Sequence, residues 1–138
     1  MCPMPDDSTA KARILVADDS AVARHLLKQS LKDAGYRVKV AKDGTEAIQL
    51  LENTTFDLVL LDNLMPGANG PDVLRKMRAM DAHKGVPVIM ITAKSDMKDV
   101  EEAIAIGADD YVVKPPVMPI VLGKIEQYLA RRSADDAD

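Results

Sequence analysis

Cysteine is almost missing: Cys2 is the single one among 138 residues. No internal disulfide can form, so packing must hold the fold. Cys2 itself lies in a polar, Pro-containing lead-in and reads as incidental. No apolar stretch approaches the roughly 20 residues that a membrane-spanning helix needs. The start, Met1-Cys2-Pro3-Met4-Pro5-Asp6-Asp7, has neither a basic n-region nor an apolar h-region, which argues against a secretory signal. The cytoplasm is the expected compartment, and no membrane partner is expected. Lys and Arg form no block and the net charge is −4, so there is no footprint for direct nucleic-acid contact. Neither G-x-G-x-x-G nor G-x-x-x-x-G-K-[ST] occurs, and acids after the first apolar run would repel a pyrophosphate. Internal repeats, low-complexity segments and linkers to a second domain are missing too.

What is present suits one domain with a real core. Residues 1–12 read as a flexible lead-in, 13–132 as the domain and 133–138 as a polar tail. The organising stretch is Phe56 to Asp62, an apolar run too short for a helix that ends in a carboxylate. Its continuous apolar character predicts a parallel strand buried on both faces. Arg13 to Ala17 predicts the first strand. A helix follows, capped by Asp19 or Ser20, with Ala23, Leu26, Leu27, Leu31 and Ala34 facing inward and Gly35 as its stop. Tyr36 to Ala41 alternates like an edge strand. Asp43-Gly44-Thr45-Glu46 resembles a capping box before a second helix with Ala47, Ile48 and Leu51 inside.

After Asp62 comes a loop of turn formers, and Pro71 is expected at the first position of a third helix with Val73, Leu74 and Met77 inside. Val86 to Thr92 reads as a fourth strand with Pro87 near its start. Ser95 is the expected cap of a fourth helix ending at Gly107. Asp110 to Val113 makes the last strand, and Val117 to Arg131 the last helix, with Val121, Ile125, Tyr128 and Leu129 as its stripe. His25 and His83 lack metal-ligand spacing and read as surface residues. Five strands alternating with five helices call for an α/β fold with a five-stranded parallel sheet, helices on both faces and right-handed crossovers.

The chemistry lies in what each strand delivers at its C-terminal end. The first gives Asp18 and Asp19, the third Asp62, the fourth Thr92 and the fifth Lys114. In a parallel sheet these ends share one edge, where open α/β sheets bind ligands. Clustered carboxylates repel unless their pKa values rise or a divalent cation neutralises them. All-oxygen ligation favours Mg²⁺, which prefers a site that also takes phosphate. Lys114 supplies a compact positive charge and Thr92 a donor, as phosphoryl transfer to a carboxylate requires.

The motifs Val16-Ala17-Asp18-Asp19-Ser20, Leu61-Asp62-Asn63-Leu64-Met65-Pro66-Gly67, Ile91-Thr92-Ala93 and Tyr111-Val112-Val113-Lys114-Pro115 are each weak alone. In this order, each at a strand end, they resemble a response-regulator receiver domain of two-component signalling, of the chemotaxis-receiver kind, over roughly residues 13–131. The resemblance implies a doubly wound, flavodoxin-like (βα)5 fold with strand order 2-1-3-4-5. It implies that Asp62 accepts a phosphoryl group from a phosphohistidine on a sensor histidine kinase or a histidine phosphotransfer protein. It implies Mg²⁺ (or Mn²⁺) held by Asp19, Asp62 and the backbone carbonyl of Leu64, with Asp18 assisting through water. Lys114, before an expected cis Pro115, would contact the phosphoryl group, and Ala93 would leave room for it. Thr92 would move toward the phosphoryl group and Tyr111 would swing from exposed to buried, reshaping the fourth helix–fifth strand–fifth helix face for an unidentified downstream effector. A phosphorylation-dependent homodimer through that face is compatible with this picture. Such a module catalyses only its own phosphorylation and dephosphorylation and is not a conventional enzyme.

Two positions depart from the family pattern: Asn63 is polar where an apolar residue is usual, and Pro116 is a second proline after Lys114. Leu64 and Lys94 border the path of attacking water. Leu64 cannot orient water, so slow self-dephosphorylation is expected. Leu64 also argues against an Asp-nucleophile phosphohydrolase, which commonly needs a second acid there. A degenerate receiver is disfavoured because every expected site residue is present. The chain reads as a single-domain regulator, which its Met1 and acidic tail slightly favour, or as the receiver part of a longer one.

Overall fold

A computed structural model describes residues 12–137, with side chains as far as Arg131. The expected lead-in therefore lies outside the described residues, apart from Ala12. The elements alternate without exception: β1 (Arg13–Ala17), α1 (Ala21–Asp33), β2 (Arg37–Ala41), α2 (Gly44–Asn53), β3 (Leu58–Asp62), α3 (Gly70–Arg78), β4 (Val88–Thr92), α4 (Met97–Ile106), β5 (Asp110–Val113) and α5 (Met118–Ala137). A short 3₁₀ turn, Lys94–Asp96, precedes α4. All strands are parallel, in the order β2-β1-β3-β4-β5. This is the expected doubly wound, flavodoxin-like sheet.

Period-two alternation divides the core between the two faces of the sheet. Leu15, Val59, Leu61, Val88 and Met90 pack with Ala47, Leu51, Val73, Leu74, Met77 and Ala103 from α2, α3 and α4. Ile14, Val16, Leu58, Leu60, Ile89 and Ile91 pack with Leu27 and Leu31 of α1 and Val121 and Ile125 of α5. Every residue of β3 and β4 is buried, as their unbroken apolar runs demand. Local signals set the helix starts. Ser20 accepts a hydrogen bond from the Ala23 amide, Asp43 from Glu46 and Asn69 from Asp72.

Several expectations need correction. Ser95 does not cap α4: it lies inside the 3₁₀ turn, and Asp96 takes the cap position without a side-chain cap bond. Leu26 is 47 % exposed, because α1 meets the core through Leu27 and Leu31. His83 is buried, since the turn after α3 folds it against Phe56, whose amide donates to His83 Nε2 at 3.2 Å. Phe56 and Asp57 precede β3 rather than join it. Pro71 takes the second helical position behind Gly70. Glu46 reaches back to the Lys42 amide, not to that of Asp43. The last helix runs to Ala137, past the expected end at Arg131, so its backbone is helical where a polar tail was expected.

Candidate functional site

Strand register assembles the site. Ala17 pairs with Leu61, so Asp18 follows β1 beside Asp62 at the end of β3. Asp62 pairs with Ile91 and Thr92 with Val113, so Thr92 and Lys114 lie one step further along the same edge. β2 occupies the far edge and contributes no site residue. All the sequence-expected strand-end residues thus meet at the C-terminal edge of the sheet.

Asp62 is buried, and one of its oxygens, Oδ1, lies 3.0 Å from Lys114 Nζ. Asp18 is fully buried: Oδ1 accepts from the Ser20 amide at 2.9 Å, and Oδ2 lies 3.9 Å from Lys114 Nζ. Arg24 reaches over to donate to the Asp18 carbonyl at 2.8 Å, which ties α1 to the end of β1. Asp19 is exposed at the mouth. Thr92 is buried, its hydroxyl donating to the Ala93 carbonyl at 3.3 Å. The Lys114 amide donates to the Thr92 carbonyl at 2.8 Å, which extends the β4–β5 pairing up to the lysine. The Lys114–Pro115 peptide is cis, as expected. Tyr111 is half-buried against the α2–α4 side of the core. The Leu64 side chain is 55 % exposed at the start of the β3–α3 loop.

Burial pushes the Asp62 carboxyl up to about 6; the hydrogen bond from Lys114 pulls the other way, and the charge of Asp18 adds to the rise. Burial works against the Lys114 charge, but the hydrogen bond to Asp62 and the charges of Asp62, Asp18 and Asp19 hold its pKa above the ordinary lysine value. Two buried oxygens, Asp18 Oδ2 and Asp62 Oδ2, accept no hydrogen bond. Buried polar atoms without partners are costly and call for an explanation. Asp18, Asp19 and Asp62 each offer an oxygen within 4.8 Å of the others. A hard divalent cation fits this donor set, because it satisfies the orphaned oxygens and relieves the repulsion together.

Two glycines shape the loop beyond Asp62 through close backbone approaches that turn propensity and capping patterns do not reveal. A Cβ on Gly70 would sit 2.6 Å from the Asp62 carbonyl oxygen, and one on Gly44 would fall 1.9 Å from the Ala68 carbonyl oxygen. α3 therefore starts directly against the end of β3, and the loop lies flat on the start of α2. Another contact missed in the sequence belongs to Asn63, whose amide nitrogen donates to Asp99 on α4 at 3.0 Å. No linear pattern pairs residues so far apart.

The comparisons agree with this geometry. The family model described as the response regulator receiver domain matches residues 14–125. The DNA-binding response regulator MtrA of Mycobacterium tuberculosis (strain ATCC 25618 / H37Rv) is 39 % identical over 130 residues, covering 94 % of this chain and 56 % of MtrA. The chain thus spans about half the length of that curated relative. Chemotaxis protein CheY4 of Vibrio cholerae superposes with a TM-score of 0.81 at 31 % identity, covering 86 % of this chain and 99 % of that one. The receiver domain of a Pseudomonas aeruginosa sensor histidine kinase, solved with a magnesium ion coordinated in its active site cleft, gives 0.81 at 28 % identity, covering 88 % and 99 %. Among the described residues, no helix is long and apolar enough to cross a membrane. With its strand order, its convergent strand ends and this match over most of its length, the chain belongs to the response regulator receiver domain family.

Proposed function

We propose that Asp62 accepts a phosphoryl group and that the charge gained there switches the α4–β5–α5 face toward a partner. One observation carries this reading: a buried carboxylate holds one oxygen on Lys114 at 3.0 Å and leaves the other without a hydrogen bond, beside an orphaned oxygen of Asp18. A purely structural acid would have both oxygens satisfied.

A carboxylate oxygen of Asp62 attacks the phosphorus of a phosphohistidine on a sensor histidine kinase or histidine phosphotransfer protein. The O–P bond forms as the N–P bond breaks, and the electron pair stays on the imidazole nitrogen. Lys114 neutralises charge on one transferring oxygen and Thr92 donates to another. Asp18, Asp19, Asp62 and the backbone carbonyl of Leu64 would hold Mg²⁺, or Mn²⁺ in its place, which when bound neutralises charge on the phosphoryl oxygens. An open groove of about 460 Å³ beside the site, lined by Ser20, Val22, Leu26, Pro115 and Pro116 among others, gives a donor histidine its approach.

Loss of the group follows when water attacks phosphorus and the Asp62 carboxylate leaves. Leu64 has no polar group to orient that water, so the lifetime is long. Thr92 and Tyr111 carry the switch. The domain, residues 13–132, acts in the cytoplasm and contacts no nucleic acid through its own surface. The relative's name makes a DNA-binding output one candidate for what the switch controls.

Intact-mass spectrometry after incubation with Mg²⁺ and a small acyl phosphate tests the acceptor. A gain of about 80 Da, one phosphoryl group, that needs Mg²⁺ and vanishes in Asp62→Asn is expected. A gain that survives in the variant moves the acceptor elsewhere and overturns the assignment.

A further inference from the structure

Asn63 follows the acceptor directly and is 4 % exposed. Its backbone is committed on both sides: its N–H donates to the Ile91 carbonyl at 3.0 Å and its carbonyl accepts from the Gly70 amide at 2.8 Å. Its side chain crosses to a different element, donating to Asp99 Oδ2 at 3.0 Å in the first turn of α4. That turn has no side-chain cap bond of its own, since neither Ser95 nor Asp96 provides one. A second side-chain tie to the body of α4, from Arg75 of α3 to Glu102 at 2.9 Å, lies on the exposed rim, where an ion pair holds little. The half-buried Asn63–Asp99 bond is therefore the firmer hold on the start of α4.

Its position matters because Thr92 is joined to Met97 by only Ala93 to Asp96. A shift of Thr92 toward Asp62 pulls that loop, and with it the turn that Asn63 fixes. A phosphoryl group on Asp62 also adds negative charge one residue from Asn63, which works against the Asp99 carboxylate. Resting on the phospho-acceptor reading, we propose that Asn63 and Asp99 form a latch. It holds α4 in the unphosphorylated arrangement and opens when the acceptor is charged. Asn63 is a positioning residue: it acts through Asp99 and touches no transferring atom. An interaction present in one state alone biases the equilibrium by its own free energy, so the latch opposes activation.

The test titrates beryllofluoride with Mg²⁺ into the full chain, followed by the amide resonances of Thr92 and Tyr111. Wild type is compared with Asn63→Leu, Asp99→Ala, Asp99→Asn and the Asn63→Leu/Asp99→Ala double variant. Opening the latch should lower the beryllofluoride midpoint roughly 3- to 10-fold in each of the first two, with no further gain in the double. Amide exchange of residues 97–100 in the unliganded protein should rise in the same variants. Asp99→Asn keeps an acceptor for Asn63 and should fall between wild type and Asp99→Ala. Midpoints that stay put or rise, or effects that add in the double, overturn the latch. An Asp99→Asn midpoint equal to that of Asp99→Ala assigns the effect to charge alone and overturns it as well. Should Asn63→Leu fail to fold, the two Asp99 variants decide by themselves. A wild type indifferent to beryllofluoride removes the phospho-acceptor reading and the latch with it. A responsive wild type with unmoved variants removes the latch only.

Discussion

Burial acts more strongly on the Asp62 carboxyl than the nearby lysine does, and the consequence is measurable without any partner. The unfolded chain ionises Asp62 near the ordinary carboxylate value of about 4. The metal-free folded protein holds it at about 6. The folded value is the higher one, so this group's contribution to stability is full below about pH 4 and is lost as the pH rises through about 6. Asp62→Asn should therefore be more stable than wild type in EDTA above pH 6, by on the order of 2 kcal/mol, with the gap closing toward pH 4. Urea melts at both pH values decide this, and an equal gap at each would remove the pKa argument. Saturating Mg²⁺ should reverse the order at pH 7.5, because it stabilises the ionised wild type and has lost a ligand in the variant. At Gly70 the expectation is steric. Gly70→Ala forces a Cβ to within 2.6 Å of the Asp62 carbonyl oxygen. It should cost roughly 1–3 kcal/mol and slow acyl-phosphate labelling at least about tenfold, since the strand end that carries the acceptor must shift.

Between elements, Arg78 at the end of α3 is the main tie on the side remote from the site. Its guanidinium donates to the carbonyls of His83, Lys84, Val86 and Gly107 and pairs with Asp109 at 3.4 Å. One side chain thus closes the α3–β4 turn and holds the end of α4. Arg78→Ala should destabilise by about 2–4 kcal/mol in urea melts, as several partly buried carbonyls lose their donor together. Arg78→Lys should recover less than half of that, because an ammonium cannot span the same fork. Neither contact set was visible in the sequence, and the reason is general to this chain. β1, β3 and β4 were readable because each is a short apolar run closed by a polar residue, β2 because it alternates, and the helix faces because Leu27, Leu31, Val73, Leu74 and Met77 repeat at helical spacing. The site was readable because parallel strands bring their ends to one edge. Ser95, Leu26 and His83 went astray because residue type and spacing alone do not fix what surrounds each of them. A 3₁₀ turn replaced a cap, a groove replaced a helix neighbour, and the amide of Phe56 captured a histidine. Gly70 and the Asn63–Asp99 bond depend likewise on a close approach between elements that no local pattern encodes.

For the whole molecule, the question is whether one phosphoryl group can shift a two-state domain. Moving from 1 % to 99 % active takes about 5.5 kcal/mol of bias. On the proposed reading, a charge-assisted hydrogen bond from Thr92 would supply roughly 1.5–3 kcal/mol. On the same reading the remainder would come from Lys114, which already spans Asp62 and Asp18, from a cation when bound and from repacking of the half-buried Tyr111. This division makes a prediction that separates acceptance from output. Thr92→Ala leaves Asp62, Lys114 and the three carboxylates in place, so it should still gain the phosphoryl mass. Its ratio of active to inactive molecules in beryllofluoride should drop about 10- to 100-fold, the factor corresponding to those roughly 1.5–3 kcal/mol. Tyr111→Ala should accept the group as readily and lose a smaller part of the shift. Amide exchange of β5 and α5, free against beryllofluoride-bound, reads the output, while the mass gain reads acceptance. If Thr92→Ala shows the full exchange change of wild type, the bias does not pass through Thr92. Lys114 and the cation would then have to reach α4 and β5 by another path.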